Sequence, residues 1–463
     1  MNSKSDLTWE KVQNLADDLV FKLTGRHLND VEIKVLWGAY EGKTYNELAE
    51  NLGFSVIYLS KDVGSPLWKK LSNALGEEVT KKNFQQALRR YQEKRSAFGG
   101  TTHNISANNT ASIYKDWSIE NLEFPGGRVP LNSRFYVKRY EIESLCYETI
   151  KQDGVLIRIK APQEMGKTSL LERILSESER QNYQTVNLSL ETDSTVFSDI
   201  NKFLRYFCAC VSKQLGMPNK LNEFWDDIFG CNDNATNYLE EYLLADLNNP
   251  LVLALDKVDL VFEQPEIATD FCRLIRAWHD LATRSGNRGA IWKKLRLIVV
   301  HSTEVYSSLD INYSPLQGVG RIIALEEFTP EQVQDLTKRY ELDLVKTEIE
   351  QLMNLVGGHP HLVRLALDYL KRQQISLEEL LQIASKESSP FRNHLRQHLW
   401  NLQQYRDLAA AFREVVTKNT PVKLRSNEAF KLQSMGLVKT QGDDWSPSYN
   451  LYRQYFAAQL VEL

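Results

Sequence analysis

Residues 161–169 read Ala161-Pro162-Gln163-Glu164-Met165-Gly166-Lys167-Thr168-Ser169, and this stretch decides the fold. An apolar run precedes it, Val155-Leu156-Ile157-Arg158-Ile159, and a helical pattern follows, Leu170-Leu171-Glu172-Arg173-Ile174-Leu175. Strand, tight loop, Gly-Lys-Thr and helix are the context of a phosphate-binding loop. There, backbone N–H groups and the helix N-terminus face an anion, and the lysine adds a point charge. This reading makes Gln163, Glu164, Met165, Gly166, Lys167, Thr168 and Ser169 nucleotide-binding residues, with Thr168 a ligand of Mg²⁺. Two positions sit oddly in it. Ala161 replaces the usual first glycine, and Glu164 places a carboxylate where a phosphate would repel it.

A phosphate loop needs a metal partner on a nearby strand. Pro250-Leu251-Val252-Leu253-Ala254-Leu255-Asp256 is an apolar strand ending in aspartate, so Asp256 completes the Mg²⁺ site through water. A third apolar run, 295–300, ends in His301-Ser302-Thr303-Glu304. His301 either senses a terminal phosphate or is a hydrogen-bonded core histidine, and the sequence leaves both open. Strands at 155–160, 183–190, 251–255, 295–300 and 321–325 alternate with helical patterns, notably 196–215, 235–247 and 266–285. Short apolar strands between helices predict a parallel sheet covered on both faces. Ligands of such sheets sit beyond the strand C-termini, where the loop falls.

At 463 residues the chain has length for about three domains. It is 42% hydrophobic and 25% charged, the balance of an ordinary globular protein. No apolar run nears the roughly 18 residues that cross a bilayer. The polar, mixed-charge first residues are not those of a signal or transit peptide, so no membrane partner is expected. Cys146, Cys208, Cys210, Cys231 and Cys272 lack metal-type spacing and predict buried, reduced thiols in a cytoplasmic protein. A net charge of −4 gives no overall signal for nucleic acid.

Residues 96–130, with Gly99-Gly100-Thr101-Thr102 and Pro125-Gly126-Gly127, are small and polar and predict a linker. Before it, residues 1–95 are helical. Thr44-Tyr45-Asn46-Glu47 is a capping box, Gly53-Phe54 a turn, and Ser55 opens a further helix through Tyr58 and Leu59. Three short helices so spaced have the look of a helix-turn-helix. Its DNA-facing residues would be Ser55, Tyr58 and Lys61, with Lys69, Lys70, Lys81, Lys82, Arg89, Arg90, Lys94 and Arg95 available to phosphates. Against DNA, Gly64-Ser65-Pro66 cuts the third helix short, and acidic residues are interspersed, so the module equally suits a protein partner. After residue 325 the pattern is helical, beginning at Thr329-Pro330-Glu331-Gln332. From about residue 390, helices lead to Met435-Gly436-Leu437-Val438-Lys439 and a polar turn, Gln441-Gly442-Asp443-Asp444, the pattern of a winged helix.

The ordered set resembles the AAA-like subgroup of STAND NTPases from bacterial signalling and conflict systems. It comprises residues 158–162 with Met165-Gly166-Lys167-Thr168-Ser169-Leu170, residues 251–259, residues 299–306, and Val356-Gly357-Gly358-His359-Pro360-His361-Leu362-Val363-Arg364. The first 95 residues resemble the helix-turn-helix module of vWA–MoxR-associated proteins. The expected architecture is therefore multidomain α/β. It has a helix-turn-helix domain (1–95), a linker (96–130), a P-loop AAA-like core with a parallel sheet (131–328), a helical lid (329–388) and a winged helix (389–463). The resemblance makes Ala161 ordinary and implies ATP or ADP with Mg²⁺ as ligands. It also implies that Val137 and Arg139, in Tyr136-Val137-Lys138-Arg139, pack against adenine, and that Pro360 meets the base from the lid, where His359 and Arg364 report nucleotide state. Such proteins rest with ADP, then exchange nucleotide and open or form homo-oligomers when a partner signals.

One position departs from the pattern. Where the family has Asp-Glu-Val-Asp, this chain has Asp256-Lys257-Val258-Asp259. The missing glutamate would orient or deprotonate the attacking water. Lysine, with an ordinary pKa near about 10.4, cannot, and losing a general base costs roughly 10²–10⁴-fold in rate. Asp256 and Asp259 are the carboxylates left for catalysis, with Glu304 a further candidate base. The expectation is a nucleotide-binding switch with weak or absent hydrolysis that meets an effector protein through its N-terminal domain. The alternative is a DNA-binding regulator or mobile-element ATPase that assembles on DNA.

Overall fold

The computed structural model describes residues 9–24, 28, 30–52, 58–75, 77, 79–97, 123, 125–304, 316, 318–373 and 375–460. They belong to two compact units, Met1–Ile113 and Tyr114–Leu463.

The first unit is helical, with α-helices Trp9–Thr24, Asp30–Tyr40, Tyr45–Leu52, Ser65–Leu75 and Phe84–Ala97. Val12, Ala16, Leu36, Leu67, Leu71 and Leu88 are among the residues of its core. The capping box forms as expected: the Glu47 N–H donates to Thr44 Oγ1 (3.2 Å), and the Thr44 N–H donates back to the Glu47 carboxylate (2.6 Å). The expected break at Gly64-Ser65-Pro66 does not occur. A π-helical segment, Tyr58–Gly64, runs directly into the Ser65–Leu75 helix. Pro66 falls in that helix's first turn, where a missing N–H forfeits no intrahelical bond. Of the three candidate DNA-facing residues, Ser55 lies outside the described residues, as do the side chains of Tyr58 and Lys61.

The second unit is built on five parallel strands: β1 (Leu156–Ala161), β2 (Gln184–Ser189), β3 (Leu251–Asp256), β4 (Leu295–Ser302) and β5 (Arg321–Ala324), in the order β2-β3-β4-β1-β5. Side chains alternate between faces with a period of two. Leu251, Leu253, Leu255, Leu295, Leu297 and Val299 point into one cluster, with Phe203, Phe207, Phe271, Trp278 and Trp292. Ile157, Ile159, Val252, Ala254, Ile298 and Val300 point into the other, with Leu171, Ile174 and Cys146. Both faces are therefore covered, and every residue of β3 and β4 is buried. The register sets Ala161 beside Ser302 and Ser189 beside Asp256, so the polar strand ends share one edge.

The predicted 196–215 helix is divided. A 3₁₀ turn, Ser194–Ser198, precedes Ile200–Gln214, because Asp199 caps the latter by accepting from the Lys202 N–H (2.7 Å). Beyond β5, helices Pro330–Arg339 and Leu377–Ile383 start at capping boxes on Thr329 and Ser376. A two-stranded antiparallel hairpin, β6 (Val438–Gln441) and β7 (Asp444–Pro447), turns through Gly442 at φ +66° and precedes the helix Asn450–Gln459. A positive φ at the first turn position is what glycine permits at no steric cost. One hydrophobic cluster, from Phe328 to Leu460, binds these helices together and takes in Phe135 and Val137.

The connection to the Pro360–Gln373 helix is close-packed. The Phe328 N–H donates to the Gly358 carbonyl (2.7 Å), and a Cβ on Gly358 would lie 2.0 Å from the Phe328 carbonyl oxygen. Gly358→Ala should lower stability by about 1–3 kcal/mol, the usual cost of forcing an atom into packed surroundings. Chemical denaturation checks this, and a midpoint equal to the parent's would show that the approach has slack.

Candidate nucleotide-binding site

The loop between β1 and the helix Lys167–Arg180 turns on two residues with positive φ, Glu164 (61°) and Gly166 (94°). No side chain caps the helix, so its first N–H groups remain available to an anion. Lys167 folds back on the loop, with Nζ donating to the carbonyls of Ala161 (3.0 Å) and Pro162 (2.7 Å). Burial pulls its pKa down, against the field of Asp259, Glu304, Asp256 and Glu164. Across from it, Thr168 Oγ1 donates to Asp256 Oδ2 (2.9 Å). Burial raises the Asp256 carboxyl, while hydrogen bonds from Thr168 and the Lys257 N–H oppose the shift. A hydroxyl and a carboxylate at this separation, both at the strand edge, are hard oxygen donors of the kind Mg²⁺ takes.

Beside the loop lies a cavity of about 380 Å³, a size that suits a nucleotide-scale ligand. Glu164, Gly166, Lys167, Thr168, Ser169, Asp256 and Lys257 form its polar end, and Phe135, Val137, Phe328 and Pro360 form an apolar end. Arg139 joins the two. Its Nη2 donates to the carbonyls of Met165 (3.1 Å) and Glu326 (3.2 Å), and its guanidinium lies 4.9 Å from the Phe328 ring centre. Arg364 lines the same cavity, with its guanidinium 5.7 Å from the Phe135 ring centre.

Several sequence-predicted residues lie elsewhere. Met165 is buried in the core beneath the loop. Gln163 faces a second cavity of about 500 Å³, shared with Glu304 and His398. His301 is buried, packs edge-on to Phe262 at 5.3 Å, and burial pulls its pKa down to about 3; it does not line the cavity. Asp259 is committed to the backbone, accepting from the Ser302 N–H (2.8 Å), and does not line the cavity either.

The loop's odd residue, Glu164, has partners that the sequence did not suggest. Oε1 contacts His361 Nε2 (3.2 Å), and Oε2 contacts His394 Nδ1 (2.7 Å). Burial pulls His394 down to about 4, so it is neutral. The network then assigns its proton to Nδ1, facing Glu164, and Nε2 accepts from the Tyr452 hydroxyl (2.8 Å). His361 has its other nitrogen 3.1 Å from the Pro125 carbonyl. Carbonyl and carboxylate both only accept, so holding the two contacts at once requires the protonated ring. Burial nonetheless lowers the ring's pKa, with Glu164 opposing the shift. The available signal was His359, His361, His394 and His398 falling within forty residues of sequence, in a chain with 8 histidines.

Residues 124–458 match the family model of an AAA-like domain, and residues 7–91 match that of the vWA-MoxR associated protein N-terminal HTH. Among solved structures, a Walker-type ATPase of Pyrococcus abyssi aligns at TM-score 0.50 and 13% identity, over 72% of this chain and 99% of that one. The Aeropyrum pernix ORC2 protein, in ADPNP–ADP complexes, aligns at TM-score 0.39 and 14% identity, over 73% and 97% of the two chains. AMPPCP-bound DnaA from Aquifex aeolicus gives 0.33 and 15%, over 69% and 81%. No curated protein matches the chain. The chain belongs to the AAA-like domain family, and its N-terminal region is a helix-turn-helix module of the vWA–MoxR-associated type.

Glu304 gives the site a pH dependence. Burial raises its carboxyl to about 7, opposed by the Gln163 N–H (3.4 Å) and Lys167. A raised carboxyl stabilises the fold fully below its unfolded value, near about 4.5, and this contribution is lost as pH climbs through about 7. Nucleotide-free protein should therefore lose stability from this group between pH 5 and 8, up to about 3 kcal/mol at roughly 1.4 kcal/mol per pKa unit. Glu304→Gln should flatten that part of the profile. Denaturation midpoints across the range test it, and parallel profiles for parent and variant would refute it.

Proposed function

We propose that this AAA-like chain is a nucleotide-dependent switch of the STAND type, binding ATP or ADP with Mg²⁺ and hydrolysing ATP slowly or not at all. The observation that carries the proposal is the pair of contacts from Glu164 to His361 and His394. They tie the phosphate loop to two downstream helices, Pro360–Gln373 and Arg392–Gln403. Phosphate entering the loop brings negative charge next to Glu164, so nucleotide state biases those helices. In this reading, residues 329–388 act as the lid and residues 389–463 as a winged helix that packs on it. Thr168 and Asp256 hold the metal; the loop, Val137, Arg139 and Pro360 hold the nucleotide. The N-terminal helix-turn-helix recruits an effector or signalling protein in the cytoplasm, and opening leads to a nucleotide-dependent homo-oligomer.

A second reading, a DNA-binding regulator, draws on the helix-turn-helix match. Several of the module's cations are already engaged within it: Lys70 with Glu32 (2.6 Å), Arg90 with Glu77 (3.0 Å), and Lys81 with the Lys43 carbonyl and the Tyr45 ring. Engaged cations release fewer counterions on binding DNA, which favours the protein partner. A salt-sensitive shift of duplex DNA by the full chain would reverse that preference.

The test of the leading reading is to denature the purified chain, identify any released nucleotide by chromatography, and titrate stripped protein with Mg·ATP and Mg·ADP. Both should bind, and Lys167→Ala should weaken them roughly 10- to 100-fold, the loss of one charged hydrogen-bond donor. Turnover should lie near 10⁻¹–10⁻³ s⁻¹, about 10²–10⁴-fold below a typical ~10 s⁻¹ enzyme. Hydrogen exchange in the 360–373 and 392–403 helices should differ between nucleotide-free and ATP-bound protein. Phosphate release at ordinary enzyme rates, or exchange indifferent to nucleotide, would sink the proposal.

A further inference from the structure

Lys257 occupies the position whose usual glutamate is missing, and its geometry gives it a role of its own. It directly follows Asp256 at the end of β3 and adopts φ +59°. Four non-glycine residues have positive φ among the described residues, and two of them, Glu164 and Lys257, line the nucleotide cavity. A left-handed lysine persists only where its surroundings enforce it. Here the Lys257 N–H donates to Asp256 Oδ1 (2.9 Å), its carbonyl accepts from the Leu260 N–H (3.1 Å), and the next N–H, of Val258, is fixed to the Val300 carbonyl (3.0 Å). The residue is thus locked onto the cavity wall at the end that holds Thr168 and Asp256.

Its ammonium is paired with Glu191, just past β2. The side chains are 45% and 68% exposed, so solvent screens the pair and it is readily exchanged. Of the cavity's other cations, Lys167 belongs to the loop that takes either nucleotide, Arg139 donates to the carbonyls of Met165 and Glu326, Arg128 pairs with Glu172, and Arg364 lies over the Phe135 ring. A terminal phosphate, with close to two negative charges, outbids a single exposed carboxylate for a flexible lysine. We infer that Lys257 reads the terminal phosphate, leaving Glu191 to contact the γ-phosphate of a nucleoside triphosphate and so favouring ATP over ADP. Lys257 is then a specificity-determining residue, and Glu191 is the competitor that sets its threshold. The inference rests on the nucleotide-binding reading above and adds discrimination between the two nucleotides.

The experiment is calorimetric titration of the nucleotide-stripped full chain with Mg·ATP and with Mg·ADP. Lys257→Met keeps the apolar stem and removes the charge. It should weaken ATP roughly tenfold, the value of one charged contact, and leave ADP within about twofold. Unchanged ADP binding also shows that the variant is folded. Glu191→Gln should tighten ATP severalfold and leave ADP alone. If Lys257→Met weakens both nucleotides equally, or neither, while Lys167→Ala weakens both as above, this inference is overturned and the nucleotide reading stands. If the parent binds neither nucleotide, both are overturned.

Discussion

A half-buried lysine at the start of the helix that follows β1 sets the terms for everything around it. Lys167 is largely withdrawn from water, with two carbonyls as hydrogen-bond partners, and an ammonium so placed is favoured by compensating negative charge. Asp256 and Asp259 at the end of β3, Glu164 in the loop and Glu304 past β4 provide it, from three separate segments. Each of those carboxylates is in turn held by something else: Asp256 by Thr168, Asp259 by the Ser302 N–H, Glu304 by the Gln163 N–H, Glu164 by two histidines. The ends of β1, β3 and β4 and the downstream helices are therefore parts of one charge balance. Adding phosphate groups to it disturbs every member.

Glu164 carries that balance farthest. A carboxylate in a phosphate cradle is unfavourable by itself, and its backbone also holds a positive φ of 61°. Both costs are offset by His361 and His394, partners from two helices far downstream in the chain. His394 couples onward to Tyr452, and His359 and His398 pack edge-on to its ring at 5.3 and 4.7 Å. Burial pulls the pKa of each of these three rings down, so they act chiefly as oriented hydrogen-bond groups. The loop is thereby connected to the final helix through two side chains.

The sheet was legible because its rule is local. Runs of apolar β-branched and leucine residues between polar ends gave all five strands to within two residues, and Gly-Lys-Thr located the loop. The helix starts at Thr44 and Thr329 were legible for the same reason, since partner and cap are three residues apart. What could not be read was direction and distance. His301 and Asp259 sit at the edge that holds the loop, where His301 packs on Phe262 and Asp259 accepts the Ser302 N–H, and neither lines the cavity. Gly64-Ser65-Pro66 looked like a stop because proline's penalty depends on whether it falls in a helix's first turn or later, which the three residues do not reveal. The Glu164–His394 contact spans 230 positions, and no periodicity points across such a gap.

The same distribution of carboxylates is the physical ground for proposing a grip on nucleotide without fast turnover. Hydrolysis needs an acceptor for the water's proton within hydrogen-bond reach. Among the described residues, the nucleotide cavity is lined by two carboxylates, Asp256 and Glu164. Asp256 is engaged by Thr168 and stands where a metal would claim its charge. Glu164 faces two histidines across the loop, and freeing it means giving up the contacts that join loop to helices. Glu304, whose raised pKa would suit a base, lines the neighbouring cavity and holds the Gln163 N–H. Lys257 occupies the remaining position with a cation, which can attract a phosphate but cannot deprotonate water. With each nearby carboxylate engaged and a cation at the remaining position, the proposed switch has grounds to hold nucleotide longer than it takes to cleave it in an ordinary hydrolase.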